Sequence, residues 1–435
     1  MAPPTQAASH TAAFVGMSHL GIVSSAGWAS HGWPVRAIDP DRALIARLAA
    51  GELPVHEPDL PELIASTRDL LQFSSDFADL AECDLVVVAR DVPTDVENAS
   101  DIGVVSDLVE RIAPHLGQGA TLAIMSQVPP GFTRALGERI RALRPSLTFN
   151  LYYWVETLIF GDAVRRALAP ERYMIGCADP RQPIVPALDD RLRAYGCPIL
   201  PMRYESAELA KTAINLYLIS SVTYADTLSD LCQAIGADWS EIVPALRLDR
   251  RIGPFAYLKP GLGIAGGNLE RDLVTLQRLS RVRGVDTTYL DALVHHHSHR
   301  FDWLHERLRQ HVFERVPDPT IGVWGLTYKK NTHSTRNSPS LHLLQDLDGR
   351  ARVRAWDPVI RSTDVDHGAE IVDTAEAAVD GADCLVLMTD WDEFAHADLG
   401  MLRSRLRQPL VVDCVGVLEA RRDEMVGLTY VSMGR

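Results

Sequence analysis

Two series of short apolar strands, each interleaved with helical segments, constrain the fold of this chain more than any other feature. In the first series, runs typical of buried strands occur at residues 12–16, 35–39, 85–89 and 121–125. In the second series, they occur at residues 320–325, 353–355, 384–388 and 410–413. Strands that alternate with helices form parallel sheets covered by helices. The sequence therefore predicts an α/β protein with two Rossmann-like, doubly wound parallel-sheet domains.

A long helical segment separates the two series. From Arg203 to Ile235 there is neither Gly nor Pro, and apolar residues recur with helical period. A continuous helix of this length spans roughly 45–50 Å and commonly joins domains or forms a dimer seam. We therefore predict a disordered tail at 1–11, a first Rossmann-like domain at 12–200, a central helical and dimerisation domain at 201–300, and a second Rossmann-like domain at 301–435.

Composition excludes several classes of partner and site. The net charge of -14 argues against nucleic acid, because there is no basic surplus to neutralise phosphates. No apolar run could span a bilayer, and the first ten residues lack the pattern of a signal peptide. The six cysteines lack C-x-x-C spacing, which predicts reduced thiols in a cytoplasmic protein. We expect no metal site at His295–His299 either, because adjacent histidines on a helix point to different faces.

The turn after the first strand, at residues 16–21, has nearly the spacing of a dinucleotide fingerprint. Gly16 and Gly21 are its outer glycines, while Ser18 stands where the middle glycine is usual. The Ser18 side chain would either crowd a phosphate or donate a hydrogen bond to it. The residues expected to contact a cofactor here are Gly16, Ser18, His19, Leu20 and Gly21.

An acid follows the second strand at the position that NAD-binding folds require. Asp39 comes about twenty residues after the turn, where a carboxylate can bind both ribose hydroxyls. The same carboxylate would repel a 2′-phosphate, so the sequence favours NAD over NADP. The alternative is that residues 16–21 form only a strand–helix turn without a ligand.

A Gly-dense loop at Gly261–Asp272 runs into charged residues, as expected where backbone must approach a ligand closely. The loop resembles the catalytic loop of the UDP-glucose/GDP-mannose dehydrogenase family, whose pattern is G-x-G-F-G-G-x-C-x-x-K-D. The resemblance implies that Gly263 and Gly266 contact the substrate. The cysteine of that pattern is the nucleophile of a double oxidation, and Asn268 stands at its position. An amide cannot form a thiohemiacetal.

Two further stretches resemble the family's catalytic motifs. Residues 205–215 resemble E-S-A-E-L-x-K-x-x-x-N, in which Lys211 and Asn215 share one helix face. The resemblance implies that both stabilise a developing alkoxide, with Asp272 completing the group. Glu156 matches the first acid of N-P-E-F-L-x-E-G-x-A, a candidate general base or thioester-hydrolysis residue.

Several positions depart from these family patterns. Phe160 replaces the second acid of the Glu156 motif, Trp154 replaces its asparagine, and Arg271 stands where the family has lysine. The missing cysteine and the missing acid both belong to the later, acid-forming half of the family reaction. The groups for a first hydride transfer remain.

Shorter stretches complete the resemblance, which covers nearly the whole chain. Residues 92–94 and 126–131 resemble the cofactor loops V-P-T-P and S-T-V-P-x-G-T, and residues 325–339 resemble G-L-x-F-K-x-N-T-x-D-x-R-x-S-P. The cofactor contacts implied in this way are Thr94, Gln127 and Arg336. The substrate contacts implied in this way, from these and the R-I-G and F-L-x-x-x-G stretches, are Arg251, Tyr257 and Lys329.

Three hypotheses for function follow. The first is an NAD-dependent oxidoreductase that acts on a nucleotide sugar, with a UDP-sugar as substrate, by a two-electron oxidation or by oxidation and re-reduction (epimerisation). The second is a catalytically inactive homologue that binds a sugar nucleotide. The third is a conventional UDP-glucose 6-dehydrogenase with a relocated nucleophile. In each case we expect a homodimer or higher homo-oligomer, and no membrane partner.

Overall fold

The computed structural model describes residues 11–95, 99–362 and 368–435. The chain divides into two units, Met1–Ile214 and Asn215–Arg435, each with its own sheet. The expected tail at residues 1–11 lies outside the described residues, except for Thr11, which begins the first strand. The division into three domains stays a prediction.

The first unit contains an eight-stranded sheet. Its strands are β1 (Thr11–Val15), β2 (Val35–Ile38), β3 (Leu71–Ser74), β4 (Cys83–Val88), β5 (Thr121–Ile124), β6 (Asn150–Trp154), β7 (Tyr173–Cys177) and β8 (Ile199–Arg203). The order is β3-β2-β1-β4-β5-β6-β7-β8, and neighbours are parallel except for β6 and β7. This order reverses between β1 and β4, which is the switch point where such sheets bind dinucleotides.

Helices cover both faces of this sheet. They are α1 (His19–Ala29), α2 (Arg42–Ala49), α3 (Leu60–Ser66), α4 (Gly103–Ile112), α5 (Phe132–Leu143), α6 (Ala163–Leu168) and α7 (Pro186–Arg193). Along β1, Ala12 and Phe14 pack into one apolar cluster, while Ala13 and Val15 pack into another. Successive side chains of a strand point to opposite faces, so an unbroken apolar strand supplies both cores.

The helix predicted at Arg203–Ile235 is confirmed to within one residue. α8 (Tyr204–Ile235) is a single helix of 32 residues, and Arg203 instead ends β8. The helix begins in the first unit and ends in the second. None of the helices in the described parts of the chain combines the length and the apolar character needed to cross a bilayer.

The second unit contains a six-stranded parallel sheet. Its strands are β9 (Thr320–Trp324), β10 (Arg352–Trp356), β11 (Glu370–Ile371), β12 (Cys384–Leu387), β13 (Leu410–Asp413) and β14 (Thr429–Ser432), in the order β11-β10-β9-β12-β13-β14. Its helices are α9 (Trp239–Leu248), α10 (Gly267–Val282), α11 (Thr288–Ser298), α12 (Phe301–Leu308), α13 (Pro339–Leu347), α14 (Ala375–Val379), α15 (Asp392–Ala395) and α16 (Leu399–Arg405).

Both sheets begin with the same local arrangement. Gly16 follows β1 and Gly325 follows β9, with φ angles of 98° and 94° that favour glycine. The next amide in each case donates to a buried carboxylate after the second strand. These bonds run from Met17 to Asp39 and from Leu326 to Asp357, each at 2.7 Å. The predicted fold class, two Rossmann-like sheets with a long central helix, is confirmed.

Candidate active site

The turn at residues 16–21 requires glycine at both ends. A side chain at Gly16 would place its Cβ 2.9 Å from the Cβ of Arg90. A Cβ at Gly21 would lie only 1.9 Å from the carbonyl oxygen of Gly16. The strand, the turn and the helix therefore pack with their backbones close together. A dinucleotide-binding turn needs this close approach.

Asp39 lies where a ribose-binding carboxylate is expected. It follows β2 and is only 2% exposed, and it accepts hydrogen bonds from the amides of Met17 at 2.7 Å and Asp41 at 2.9 Å. The Arg90 guanidinium is 3.7 Å away. A cavity of about 270 Å³ adjoins this carboxylate, between α2 and α4. It is lined by Asp39, Pro40, Asp41, Leu44, Arg90, Val104, Asp107, Leu108 and Arg111.

Residues 89–91 pack against the turn, and the sequence analysis missed them. The Ser18 hydroxyl donates to the Ala89 carbonyl at 3.3 Å and accepts from the Asp91 amide at 2.8 Å. The Asp91 carboxylate accepts from the amide of Leu20 at 3.2 Å. A signal was present, because Arg90 and Asp91 are the first polar residues after β4, the strand beside β1 in this sheet order.

The two other cofactor residues implied by resemblance in this unit lie on loops. Thr94 forms an isolated antiparallel bridge with Ser100, a few residues beyond the segment that contacts the turn. Gln127 follows β5 and is partly buried. Their contact with a cofactor stays a prediction.

His19 connects the turn to the loop before α6. Its Nε2 is 2.9 Å from the Glu57 carboxylate, and its ring stacks on Phe160 with centroids 4.1 Å apart. Glu57 also accepts from the amides of Gly161 at 3.0 Å and Ala163 at 2.7 Å. Burial alone would raise the pKa of Glu57, but the hydrogen bonds from His19 and the two amides outweigh it and hold that pKa below its usual value.

Lys211 and Glu156 form an ion pair in the first unit. The Lys211 Nζ is 3.0 Å from Glu156 Oε2, and the two side chains are 13% and 16% exposed. Glu156 Oε1 is buried and has no hydrogen-bond partner among the described residues. An oxygen of this kind is a strong candidate for a ligand or water contact, because buried polar atoms are otherwise nearly always bonded.

In the second unit, Asn215 and Asp272 form a buried pair. The Asn215 Nδ2 donates to Asp272 Oδ2 at 2.5 Å, and the Arg271 Nε donates to Asp272 Oδ1 at 3.2 Å. All three side chains are buried. The two predicted residues on α8, Lys211 and Asn215, lie one helical turn apart on that helix. The Asn215 amide and the Asp272 carboxylate, which the family resemblance places in one group, are in direct contact.

Gly263 and Gly266 let the catalytic-type loop pack tightly. Both have positive φ angles, of 86° and 79°. A Cβ at Gly263 would lie 2.5 Å from the Nδ1 of His297, and one at Gly266 would lie 2.8 Å from the ring of Tyr328. The amide of Ile264 donates to the same His297 nitrogen at 3.1 Å.

The histidine-rich end of α11 holds this loop. Burial lowers the pKa of His297 to about 4, so its ring is neutral near pH 7 and can accept from Ile264. The Arg300 Nε donates to the Gly261 carbonyl at 2.9 Å, and Asp226 accepts from the Gly261 amide at 2.8 Å. Among the described residues, no group of three or more His, Cys, Asp or Glu is placed to hold a metal ion.

Asn268 is the second residue of α10. Its side chain is exposed, and none of the hydrogen bonds between described residues includes it. The preceding Gly267 leaves room for Arg336, because a Cβ there would lie 2.9 Å from the Arg336 Nε. Arg336, an implied cofactor contact, therefore packs against the first turn of α10.

The other three implied substrate residues lie on the surface of the second unit. Arg251 forms an exposed ion pair with Asp249 at 2.6 Å. Tyr257 is half exposed and lines a cavity of about 320 Å³ with Phe255 and Lys259. The Lys329 Nζ is 5.7 Å from the centre of the Tyr328 ring.

Five of the six cysteines have raised pKa values. All six are free. Burial raises the pKa of Cys83 to about 11, and it holds the pKa of Cys414 well above the usual value. Burial also raises the pKa of Cys177, Cys197 and Cys384. Reactive cysteines have lowered pKa values, so these five do not resemble reactive thiols.

Three parts of the chain match models of one protein family. Residues 10–188 match its NAD binding domain, residues 205–297 its central domain, and residues 322–420 its UDP binding domain. The chain is 30% identical to the UDP-glucose 6-dehydrogenase of Pseudomonas aeruginosa, over 97% of this chain and 96% of that protein.

Solved structures give the same result for the fold. A UDP-glucose dehydrogenase from Pyrobaculum islandicum matches with a TM-score of 0.87 and 25% identity, over 99% of both chains. A UDP-D-ManNAc dehydrogenase from Pyrococcus horikoshii has a TM-score of 0.85 at 21% identity, over 98% of this chain and 99% of its own. Together with the family matches along most of its length, these similarities show that the chain belongs to the UDP-glucose/GDP-mannose dehydrogenase family, with NAD as its cofactor.

Proposed function

We propose that this protein is an NAD-dependent oxidoreductase that acts on a UDP-sugar and does not form a uronate by the thioester route. It carries out one two-electron oxidation, or an oxidation and re-reduction that inverts the configuration at one carbon. The observation that carries the proposal is a contrast between two sites. In the ion pair of Lys211 and Glu156, the buried Oε1 of Glu156 has no hydrogen-bond partner among the described residues. Asn268, in contrast, stands where the resemblance places the cysteine nucleophile.

The first unit fits NAD. The turn has no room for a side chain at Gly16 or Gly21, and the carboxylate of Asp39 adjoins a cavity between α2 and α4. These residues would hold the pyrophosphate and the adenosine of the cofactor. When bound, NAD accepts a hydride from a carbon that carries a hydroxyl group.

The pair formed by Lys211 on α8 and Glu156, two residues after β6, supports the first oxidation. The Lys211 ammonium is a fixed positive charge that stabilises an alkoxide forming beside it. The unpartnered Oε1 of Glu156 can accept the hydroxyl proton, directly or through a water. We also propose that Asn215 and Asp272 take part in the reaction, as the family resemblance implies.

The second oxidation lacks its nucleophile. Capture of an aldehyde needs a thiolate or an equally activated group, and the carboxamide of Asn268 is neither. A relocated thiol is disfavoured by the raised pKa values of five of the six cysteines. The acid that the family carries later in the Glu156 motif is also replaced here, by Phe160.

The stoichiometry of the reaction tests this proposal. The purified protein is incubated with NAD and a panel of UDP-, GDP- and dTDP-sugars, and NADH formed is compared with sugar consumed. We expect one NADH per sugar, or sugar interconversion without net NADH. Two NADH per sugar with uronate as product would contradict the proposal and favour the conventional dehydrogenase. Binding of the nucleotide sugar without turnover would contradict it in favour of the inactive homologue.

A single cysteine should not restore uronate formation. In Asn268→Cys, we expect the NADH yield per sugar to stay as in the wild-type protein, because Phe160 still replaces the second acid. Alkylation of the new thiol by iodoacetamide, with Asn268→Ala as the matched control, shows whether the thiol is present and accessible. A doubled NADH yield with uronate as product would refute this expectation.

We infer that the protein forms a homodimer through the later part of α8. Tyr217, Tyr224 and Leu231 are spaced by seven residues and are 62%, 44% and 51% exposed. Apolar residues at this interval on one helix are typical of a helix–helix seam.

A cytoplasmic location stays a prediction, supported by the six free cysteines.

A further inference from the structure

A carboxylate of the protein itself already binds an amide in the first turn of α1. The Leu20 amide, the second of this 11-residue helix, donates to the Asp91 carboxylate at 3.2 Å. In Rossmann folds the amides at this helix end receive the pyrophosphate of the dinucleotide, because they carry free donors and the positive end of the helix dipole. A side-chain carboxylate therefore occupies part of the place where the cofactor's negative charge is expected.

Ser18 holds Asp91 in this position. Ser18 is the N-cap residue of α1, yet its side chain makes no capping hydrogen bond to the helix. Its hydroxyl instead accepts from the Asp91 amide at 2.8 Å and donates to the Ala89 carbonyl at 3.3 Å. Serine at an N-cap normally accepts from the helix itself. Here the Asp91 carboxylate accepts from the helix, and Ser18 positions the segment that carries it.

The charge of Asp91 is not neutralised locally. None of the ion pairs between described residues includes its carboxylate, and the guanidinium of its neighbour Arg90 lies 3.7 Å from Asp39 instead. The Asp91 residue is exposed. Its side chain can therefore rotate away from α1 without unfolding the turn.

We propose that Asp91 is an internal competitor of the cofactor's pyrophosphate. Binding of NAD requires the carboxylate to release the Leu20 amide, and the unneutralised charge opposes the incoming phosphates. Asp91 therefore weakens NAD binding, and Ser18, at the middle-glycine position of the fingerprint, strengthens this effect. The inference rests on NAD binding at the turn of residues 16–21 and not on the number of electrons transferred in the proposed reaction.

Calorimetric titration of the full chain tests the proposal. In Asp91→Asn, the charge is lost while an oxygen acceptor remains. We expect the Kd for NAD and for ADP-ribose to fall about tenfold, since a like charge is removed from beside the phosphates. The Kd for adenosine, which has no pyrophosphate, should not change. Asp69→Asn, which removes an exposed charge elsewhere in the first unit, is the matched control and should leave all three Kd values unchanged.

A double-mutant cycle separates this role from a general loosening of the turn. Ser18→Gly should also tighten NAD binding, because it frees the segment that holds Asp91. If the two residues act through one contact, the combined variant gains less than the two single variants together. Unchanged or weaker NAD binding in Asp91→Asn, or an equal gain for adenosine, would overturn the proposal. Fully additive gains would overturn the role assigned to Ser18.

Discussion

Replacement of Lys211 by Met is expected to lower kcat by about 10²- to 10³-fold and to leave the Kd for NAD unchanged. The expected loss is that of one charged donor to a developing oxyanion in a site shielded from water. The Lys211 ammonium is only 3.0 Å from Glu156 and mostly buried, so solvent cannot replace it. The measurements are kcat and KM on the nucleotide sugar that the wild-type protein oxidises, with calorimetric titration of NAD.

Two further variants separate chemistry from stability in this experiment. Lys211→Arg keeps the charge and the partner for Glu156 but changes the geometry of the donor. It should fold like the wild-type protein and still lose most of the activity. Lys330→Met removes a partly exposed ammonium that pairs with Asp392 on the surface, and it should leave kcat unchanged. Wild-type kcat in a folded Lys211→Met protein would exclude the proposed role.

Substitution of Gly21 by Ala should abolish NAD binding and lower the free energy of unfolding by about 3 kcal/mol. The new Cβ would lie 1.9 Å from the carbonyl oxygen of Gly16 and 3.1 Å from that of Ala89. Both are backbone atoms of the switch point between β1 and β4, so relief requires α1 to move away from the sheet. The backbone that approaches the pyrophosphate would move with it.

Urea unfolding and calorimetric titration measure the two effects. Gly400→Ala is the control, because its Cβ would meet only the side-chain oxygen of Asp398 at 3.1 Å, in the first turn of α16. We expect that variant to remain within about 0.5 kcal/mol of the wild-type protein. A Gly21→Ala protein with normal stability and normal NAD affinity would show that the turn is not packed as described.

The parts of the site that local patterns encode were predictable. The position of Asp39 is predictable, because an acid at the end of the second strand depends only on strand order and spacing. The four-residue spacing of Lys211 and Asn215 likewise predicts that both lie on one face of a helix, and α8 contains both. For the histidines at 295–299, the sequence predicts only that they form no metal site. Their role in holding the Gly-rich loop depends on which face of α11 meets that loop, and no local pattern shows this.

The two doubly wound sheets, the long helix and the glycine turn follow from local sequence, because apolar periodicity and turn chemistry act over a few neighbouring residues. The surroundings of the turn depend instead on tertiary packing. The contacts of Asp91 with Leu20 and Ser18 join residues 71 and 73 positions apart, and His19 meets Glu57 across 38 positions. Such pairs form only when the sheet brings separate loops to one edge, so their chemistry is a property of packing and not of any segment alone.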